Sequence, residues 1–238
     1  GQRVQRPTDH IATYKGGVFR WSFSDYAVEN EAALQMLLQL VSEDDSPSGT
    51  VAITGNQGTV AYEEGATTGE YACVVVSSPD TDEDRLMHSS ILETLTLTLN
   101  PTVNGGRLTA SGTFFSGYQP VIGTEGTSAN ATAVDYTKGF FDCTTMSIGG
   151  DDVVINNFEV TISNPAQRVG YKTVNSVSHE PSAYMRGGMI EVTGTLSALL
   201  DDNVTDTIDD FRDGTSVNIS IGNGTQIDFD IPTAKYTG

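Results

Sequence analysis

Positive charge is what this chain has least of: 12 Lys and Arg stand against 31 Asp and Glu in 238 residues, a net charge of −19 with an isoelectric point near 4.2. A surface of that sign excludes a protein that grips nucleic acid by its phosphates, and it keeps copies apart in dilute salt. Asp outnumbers Glu and Arg outnumbers Lys, a bias that suits a high-salt setting, where screening removes most of the mutual repulsion. Cysteine is nearly absent. Cys73 and Cys143 each stand at the start of an apolar strand and read as small buried hydrophobes; a bridge between them would need two distant segments to lie side by side. No apolar run is long enough to span a bilayer, and the N-terminal Gly-Gln-Arg-Val-Gln-Arg-Pro has no apolar leader core. Neither membrane insertion nor export is expected, unless a leader precedes Gly1.

Catalytic and metal-binding patterns are missing too. His10, His88 and His179 are far apart, and His-Glu-x-x-His, Cys-x-x-Cys and Gly-x-Ser-x-Gly do not occur. Asp80-Thr-Asp82-Glu-Asp84 alternates acids as a calcium loop does, but Arg85 replaces the turn glycine and Ile91 the closing glutamate, so it reads as a solvated acidic loop. Gly170-Tyr-Lys172-Thr173 lacks the upstream glycines of a phosphate loop. Asn130, Asn203, Asn218 and Asn223 open Asn-x-Ser/Thr triplets, which arise by chance in a chain this rich in Ser and Thr. The expectation is a non-enzyme without metal or cofactor.

What is present is a β pattern written twice. Leu95-Thr-Leu-Thr-Leu-Asn-Pro101 leads into Gly105-Gly-Arg-Leu-Thr-Ala-Ser-Gly-Thr-Phe114; Phe158-Glu-Val-Thr-Ile-Ser-Asn-Pro165 leads into Gly187-Gly-Met-Ile-Glu-Val-Thr-Gly-Thr-Leu196. Period-2 alternation of Thr, Val, Ile and Leu marks half-buried strands, and Asn, Pro and Gly mark the turns. The shared frame, with Gly112 and Gly194 in one slot and the cysteine strands ahead of each copy, reads as a duplication relating residues ~70–120 to residues ~140–200.

The rest of the chain fits a single domain over residues 1–238, with no Pro/Ser-rich linker. Residues 1–8 form a polar arm. Phe19-Arg-Trp21-Ser-Phe23 alternates as a strand with an aromatic core face. Residues 30–41 carry Ala33, Leu34, Leu37, Leu38 and Val41 at helical spacing behind an Asn30 cap, and a short helix fits Asp202–Phe211. Strands at Val217–Ile221 and Ile227–Ile231, joined through Gly222-Asn-Gly224, close the chain.

The repeated strands divide into two faces. One carries Thr94, Thr96, Thr98, Thr109, Ser111, Thr113, Glu159, Thr161, Ser163, Glu191, Thr193 and Thr195; the other carries Leu95, Leu97, Leu99, Leu108, Phe114, Phe158, Val160, Ile162, Ile190 and Val192. The apolar face is wide enough to hold a second sheet and the helix. The copies differ at residues 166–186, an insert in which Arg168, Lys172 and Arg186 outweigh Glu180 and which supplies Tyr171, Val174, Tyr184 and Met185. Such composition suits an inter-subunit contact through Arg168, Tyr171, Lys172, Val174, Tyr184 and Arg186.

In the two Thr-rich hairpins, the flanking helix and the late Val192-Thr-Gly-Thr-Leu196 strand, the sequence resembles the tail tube proteins of long-tailed viruses of bacteria and archaea. The resemblance implies a mainly β, antiparallel sandwich or barrel of the tail tube type with one flanking helix. It implies self-assembly into six-membered rings stacked as a hollow conduit for genome delivery, with the hydroxyl-bearing face toward the lumen. The partners it implies are further copies, other tail proteins at the tube ends and genomic DNA that passes without tight binding; the place is the virion tail, assembled in the host cytoplasm. With the acidic bias, a haloarchaeal tailed virus is the expected source. A capsid decoration or spike protein and a halophilic cell-surface β-sandwich are the competing readings.

Overall fold

A computed structural model describes residues 19–28, 31–42, 72–76, 85–116, 121–122, 143–169, 183–199, 209–210, 212–222 and 228–237. In chain order the strands are β1 (Phe19–Ala27), β2 (Ala72–Val76), β3 (Arg85–Leu99), β4 (Leu108–Ser116), β5 (Val121–Ile122), β6 (Thr145–Ile148), β7 (Asp151–Asp152), β8 (Ile155–Ser163), β9 (Ala166–Val169), β10 (Ala183–Arg186), β11 (Glu191–Ala198), β12 (Val217–Gly222) and β13 (Asp228–Ala234). One helix, α1 (Glu31–Ser42), lies between β1 and β2, one residue from the span its spacing predicts.

The strands form an antiparallel β-sandwich. Its larger sheet runs β1-β4-β3-β8-β11, with β2 and β5 pairing the early part of β3; the facing sheet runs β13-β12-β6-β7. β9 and β10 make a separate two-stranded ribbon. One continuous core joins Leu95, Leu97, Leu99 and Leu108 of the large sheet to Ile148, Val217 and Ile221 of the small one and to Leu34, Leu37, Leu40 and Val41 of α1. Each fully buried leucine contributes about 1.5–3 kcal/mol relative to exposure. Met36, on the other side of α1, is 52% exposed, as an amphipathic helix requires.

Local chemistry sets the edges of the small sheet. β13 contains Pro232, tolerable there because an edge strand has one ladder side that needs no donor. β7 is two residues long and wholly acidic, which blunts the opposite edge. Trp21 of β1 stacks flat on Phe114 at 4.0 Å between ring centroids, and Phe23 tilts against the same ring at 5.9 Å, so the aromatic face expected of this strand lies on the core side.

The two hairpins lie side by side. β4-β3 and β8-β11 meet along β3 and β8, with Thr96 opposite Thr161, Leu95 opposite Ile162 and Leu97 opposite Val160. This antiparallel junction maps the pair Thr94–Thr113 onto Glu159–Thr195 and the pair Thr98–Thr109 onto Ser163–Glu191, a local twofold relation. The Asn-Pro steps fall out of phase with it. Asn100 accepts hydrogen bonds from the Thr102 amide and hydroxyl at 2.8 and 2.7 Å, and the turn is completed by Gly105 and Gly106 at φ 68° and 75°, a region open to glycine. Asn164 follows Ser163 rather than a core leucine, is fully buried, and donates its amide to the Glu93 carbonyl. The cysteine strands also take different partners: β2 pairs β3, whereas β6, just after Cys143, pairs β12 and β7. Cys143 is not in a disulfide.

The polar arm, the acidic loop at Asp80–Asp84 and the centre of the 166–186 insert lie outside the described residues. Asp209, Asp210, Arg212 and Asp213 are helical, with the Thr215 amide closing on the Asp210 carbonyl at 3.0 Å. Among the described residues no helix is long and apolar enough to cross a membrane.

Candidate functional site

The feature with the most chemistry is the face of the large sheet turned away from the core. Register aligns its side chains in three rows across the strands: Ser22–Thr113–Thr94–Ser163–Glu191, Ser111–Thr96–Thr161–Thr193, and Thr109–Thr98–Glu159–Thr195. A slip of one residue in any strand would swap this face with the leucine face, so the core fixes the rows. In the middle row the Thr96 and Thr161 hydroxyls are hydrogen-bonded at 2.9 Å, and in the next the Thr98 hydroxyl donates to Glu159 Oε2 at 3.5 Å. Ser111 accepts the amide of Asp25, where β1 bulges. The result is a field of hydroxyls with carboxylates at Glu159 and Glu191.

Two residues depart from the expected division. Thr109, grouped with the polar face, is buried at 7% exposure: it sits at the end of its row beside Ala27 of β1, and its hydroxyl turns onto the Thr98 carbonyl at 3.5 Å. Val192, expected in the core, is 46% exposed. β11 is the outermost strand, where Ile190, just before it, is buried and Leu196 packs half-buried against the core; Glu191, Thr193 and Thr195 are exposed on the polar side.

Beyond the threonine rows lies a group that alternation alone does not reveal. Between Leu92 and Thr94 the pairing of β3 with β4 shifts, leaving Glu93 as an extra residue. That bulge turns Glu93 onto the polar side beside Thr94. There it grips Arg20 of β1 with both oxygens, Nε–Oε2 at 2.8 Å and Nη2–Oε1 at 3.0 Å. The guanidinium lies over the Phe115 ring, 5.5 Å from its centroid. The hydrogen bond that Arg20 donates to Glu93 raises the Arg20 pKa above its ordinary value, partial burial opposes the rise, and the carboxylate charge adds to it. Phe115, under the guanidinium, and its cross-strand partner Ile91 are both buried. The sequence signal was the adjacent polar pair Glu93-Thr94, which breaks the period of two.

Of the residues assigned to inter-subunit contact, Arg168, Tyr184 and Arg186 lie in the β9–β10 ribbon, where Tyr184 pairs Arg168 and Arg186 pairs Ala166; Tyr171, Lys172 and Val174 lie outside the described residues. Among the described residues no group of three or more His, Cys, Asp or Glu is placed to hold a metal ion.

No curated protein matches this sequence. The family model for phage tail tube proteins matches residues 11–236, nearly the whole chain. That decides among the readings the sequence left open, and it agrees with the antiparallel sandwich and the one long helix among the described residues: the chain belongs to the phage tail tube protein family, structural components of the viral tail.

Proposed function

We propose that copies of this chain join edge to edge, β1 of one against β11 of the next, into six-membered rings that stack as the wall of a hollow tube. The hydroxyl rows line its lumen, and the viral genome passes along them. The observation that carries this reading is β11. It keeps the alternation of a core strand, yet Val192 is 46% exposed on the apolar side and its outer edge has no partner among the described residues. An exposed, alternating edge strand is a template for a further strand. β1 ends the same sheet at its other side, so β1–β11 joints repeated around a ring would close into a barrel with no edge left. Hydroxyls and carboxylates give a polyanion nothing to hold. The β9–β10 ribbon, next to β11 in the chain, is the arm that reaches a neighbouring subunit or ring, while other tail proteins cap the ends. Assembly takes place in the host cytoplasm, and the net charge of −19 supports a salt-loving, haloarchaeal host, in which ions screen ring-to-ring repulsion.

Electron microscopy of the purified protein in molar salt tests the reading directly: six-fold rings and tubes are expected. Val192→Lys places a charge on the uncovered side of the edge strand, where the subunit tolerates it within about 0.5 kcal/mol. The variant should remain folded and monomeric. Tubes from V192K as abundant as those of the parent would remove β11 from the joint, and a parent that forms neither rings nor tubes would overturn the reading.

A further inference from the structure

We infer that Glu93 is a charge mask for Arg20: it cancels the one cation within the paired strand segments of the hydroxyl-bearing face, so that DNA finds no point of attachment on them. The inference rests on the lumenal reading above. Across residues 19–27, 91–99, 108–116, 155–163 and 191–198, the stretches of β1, β3, β4, β8 and β11 that build the polar face, Arg20 is the only Lys or Arg; Arg85 at the far end of β3 and Arg107 just before β4 lie outside them. Its side chain is 52% exposed, so an unpaired guanidinium at this position would meet a passing phosphate. Guanidinium is suited to that contact, because its planar fork matches phosphate oxygens as well as carboxylate oxygens.

Two features show that the fork is already occupied. Both Glu93 oxygens bond it, at 2.8 and 3.0 Å, and the Phe115 ring supports it at 5.5 Å. The partner is brought there by a bulge, at the cost of a regular β3–β4 ladder. An exposed ion pair adds little stability, so a stability role gives weak reason for the irregularity. Masking gives a stronger one: each subunit contributes one Arg20, and unmasked arginines repeated around every ring would act together on a single polymer.

The test uses tubes of the full chain, sheared to short lengths and incubated with a short fluorescent DNA duplex. Retention is measured after sedimentation across a salt series. Parent tubes and R20Q tubes should retain no DNA above background. E93Q tubes should retain it at low salt. With six or more phosphates engaged, they should release it by about 10³-fold or more between about 50 and 200 mM salt. The R20Q/E93Q tubes should return to background. A control separates the two readings. Ser22, opposite Thr113 in the first row, is replaced in S22R, which adds an unmasked cation to the same face. If S22R tubes hold DNA and E93Q tubes do not, masking is wrong while the lumenal reading stands; if S22R tubes hold none, the lumenal reading itself fails. Should E93Q not assemble, S22R/T113E rebuilds a mask from cross-strand neighbours. It should lose the DNA that S22R holds, and equal retention by both would overturn the inference.

Discussion

At Gly112 a β-carbon would stand 2.7 Å from the Thr94 carbonyl oxygen and 2.9 Å from the Phe23 ring, and at Gly194 it would stand 2.5 Å from the Glu159 carbonyl oxygen. Thr94 and Glu159 are equivalent under the local twofold relation, so both copies need the same missing side chain for the same close approach. The consequences differ with position. Gly112 is held on both sides, by Leu95 of β3 and Phe23 of β1, and neither strand can yield without disturbing the core. Gly194 is on the outermost strand, which has room to lean away. Gly112→Ala should therefore cost about 1–3 kcal/mol, the usual range for overpacking, and Gly194→Ala distinctly less, read from denaturant midpoints of the two variants. Equal losses would mean that β11 is held as firmly as β4. The repeated glycine slot was visible in the sequence, since a shared frame survives inspection of one chain. Its cause was not, because the obstructing carbonyl belongs to another strand. Glu93 was missed for a related reason: alternation describes regular strands, and a bulge becomes visible only when the partner strand is in place.

At the scale of elements, α1, β1, the two hairpins and the final strands were legible because each depends on its own periodicity. Strand order was not, since alternation says which side chains share a face and nothing about which strand lies next. The exposure of β11 followed the same rule: Val192 reads as a core residue by period, and only its place at the end of the sheet uncovers it. The 166–186 insert was read as an excursion. Its ends are in fact a ribbon, with Ala166 opposite Arg186 and Val169 opposite Ala183. The hairpin beneath does not rely on the ribbon, for the β8–β11 ladder runs from Glu191–Ser163 through Leu196–Phe158 on side chains of its own. Replacing residues 166–186 with a tight Asn-Gly turn, whose geometry matches strand twist, should leave a folded subunit with an unchanged unfolding midpoint within about 1 kcal/mol. If the ribbon is the arm between subunits, the variant should form no long tubes under the electron microscope. Tubes of parental length would pass that role to the polar arm of residues 1–8.

At the scale of the whole molecule, passage of the genome turns on the sign of the charge met by DNA. Glu159 and Glu191 stand in different rows, opposite Thr195 and Ser163, and the Thr98 hydroxyl donates a long 3.5 Å bond to Glu159. Neither is buried. Exchanging both for lysine leaves the leucine face untouched, so folding and assembly should persist with losses within about 1 kcal/mol for the pair. Passage should change, because each cation that meets a phosphate displaces condensed counterions and weakens with the logarithm of salt by a slope of about 0.9 per contact. Contacts made by successive subunits act on the same polymer, so their effect grows with tube length. Particles carrying E159K/E191K should therefore assemble normally, deliver their genome slowly at low ionic strength, and recover as salt is raised, while E159Q/E191Q particles behave as the parent does. The salt dependence separates this cause from a damaged tube, since a structural defect would not be repaired by ions that act only on the charge contacts. Normal delivery by the lysine variant at low ionic strength would place Glu159 and Glu191 away from the path of the DNA, and the rows that share their face would leave the lumen with them.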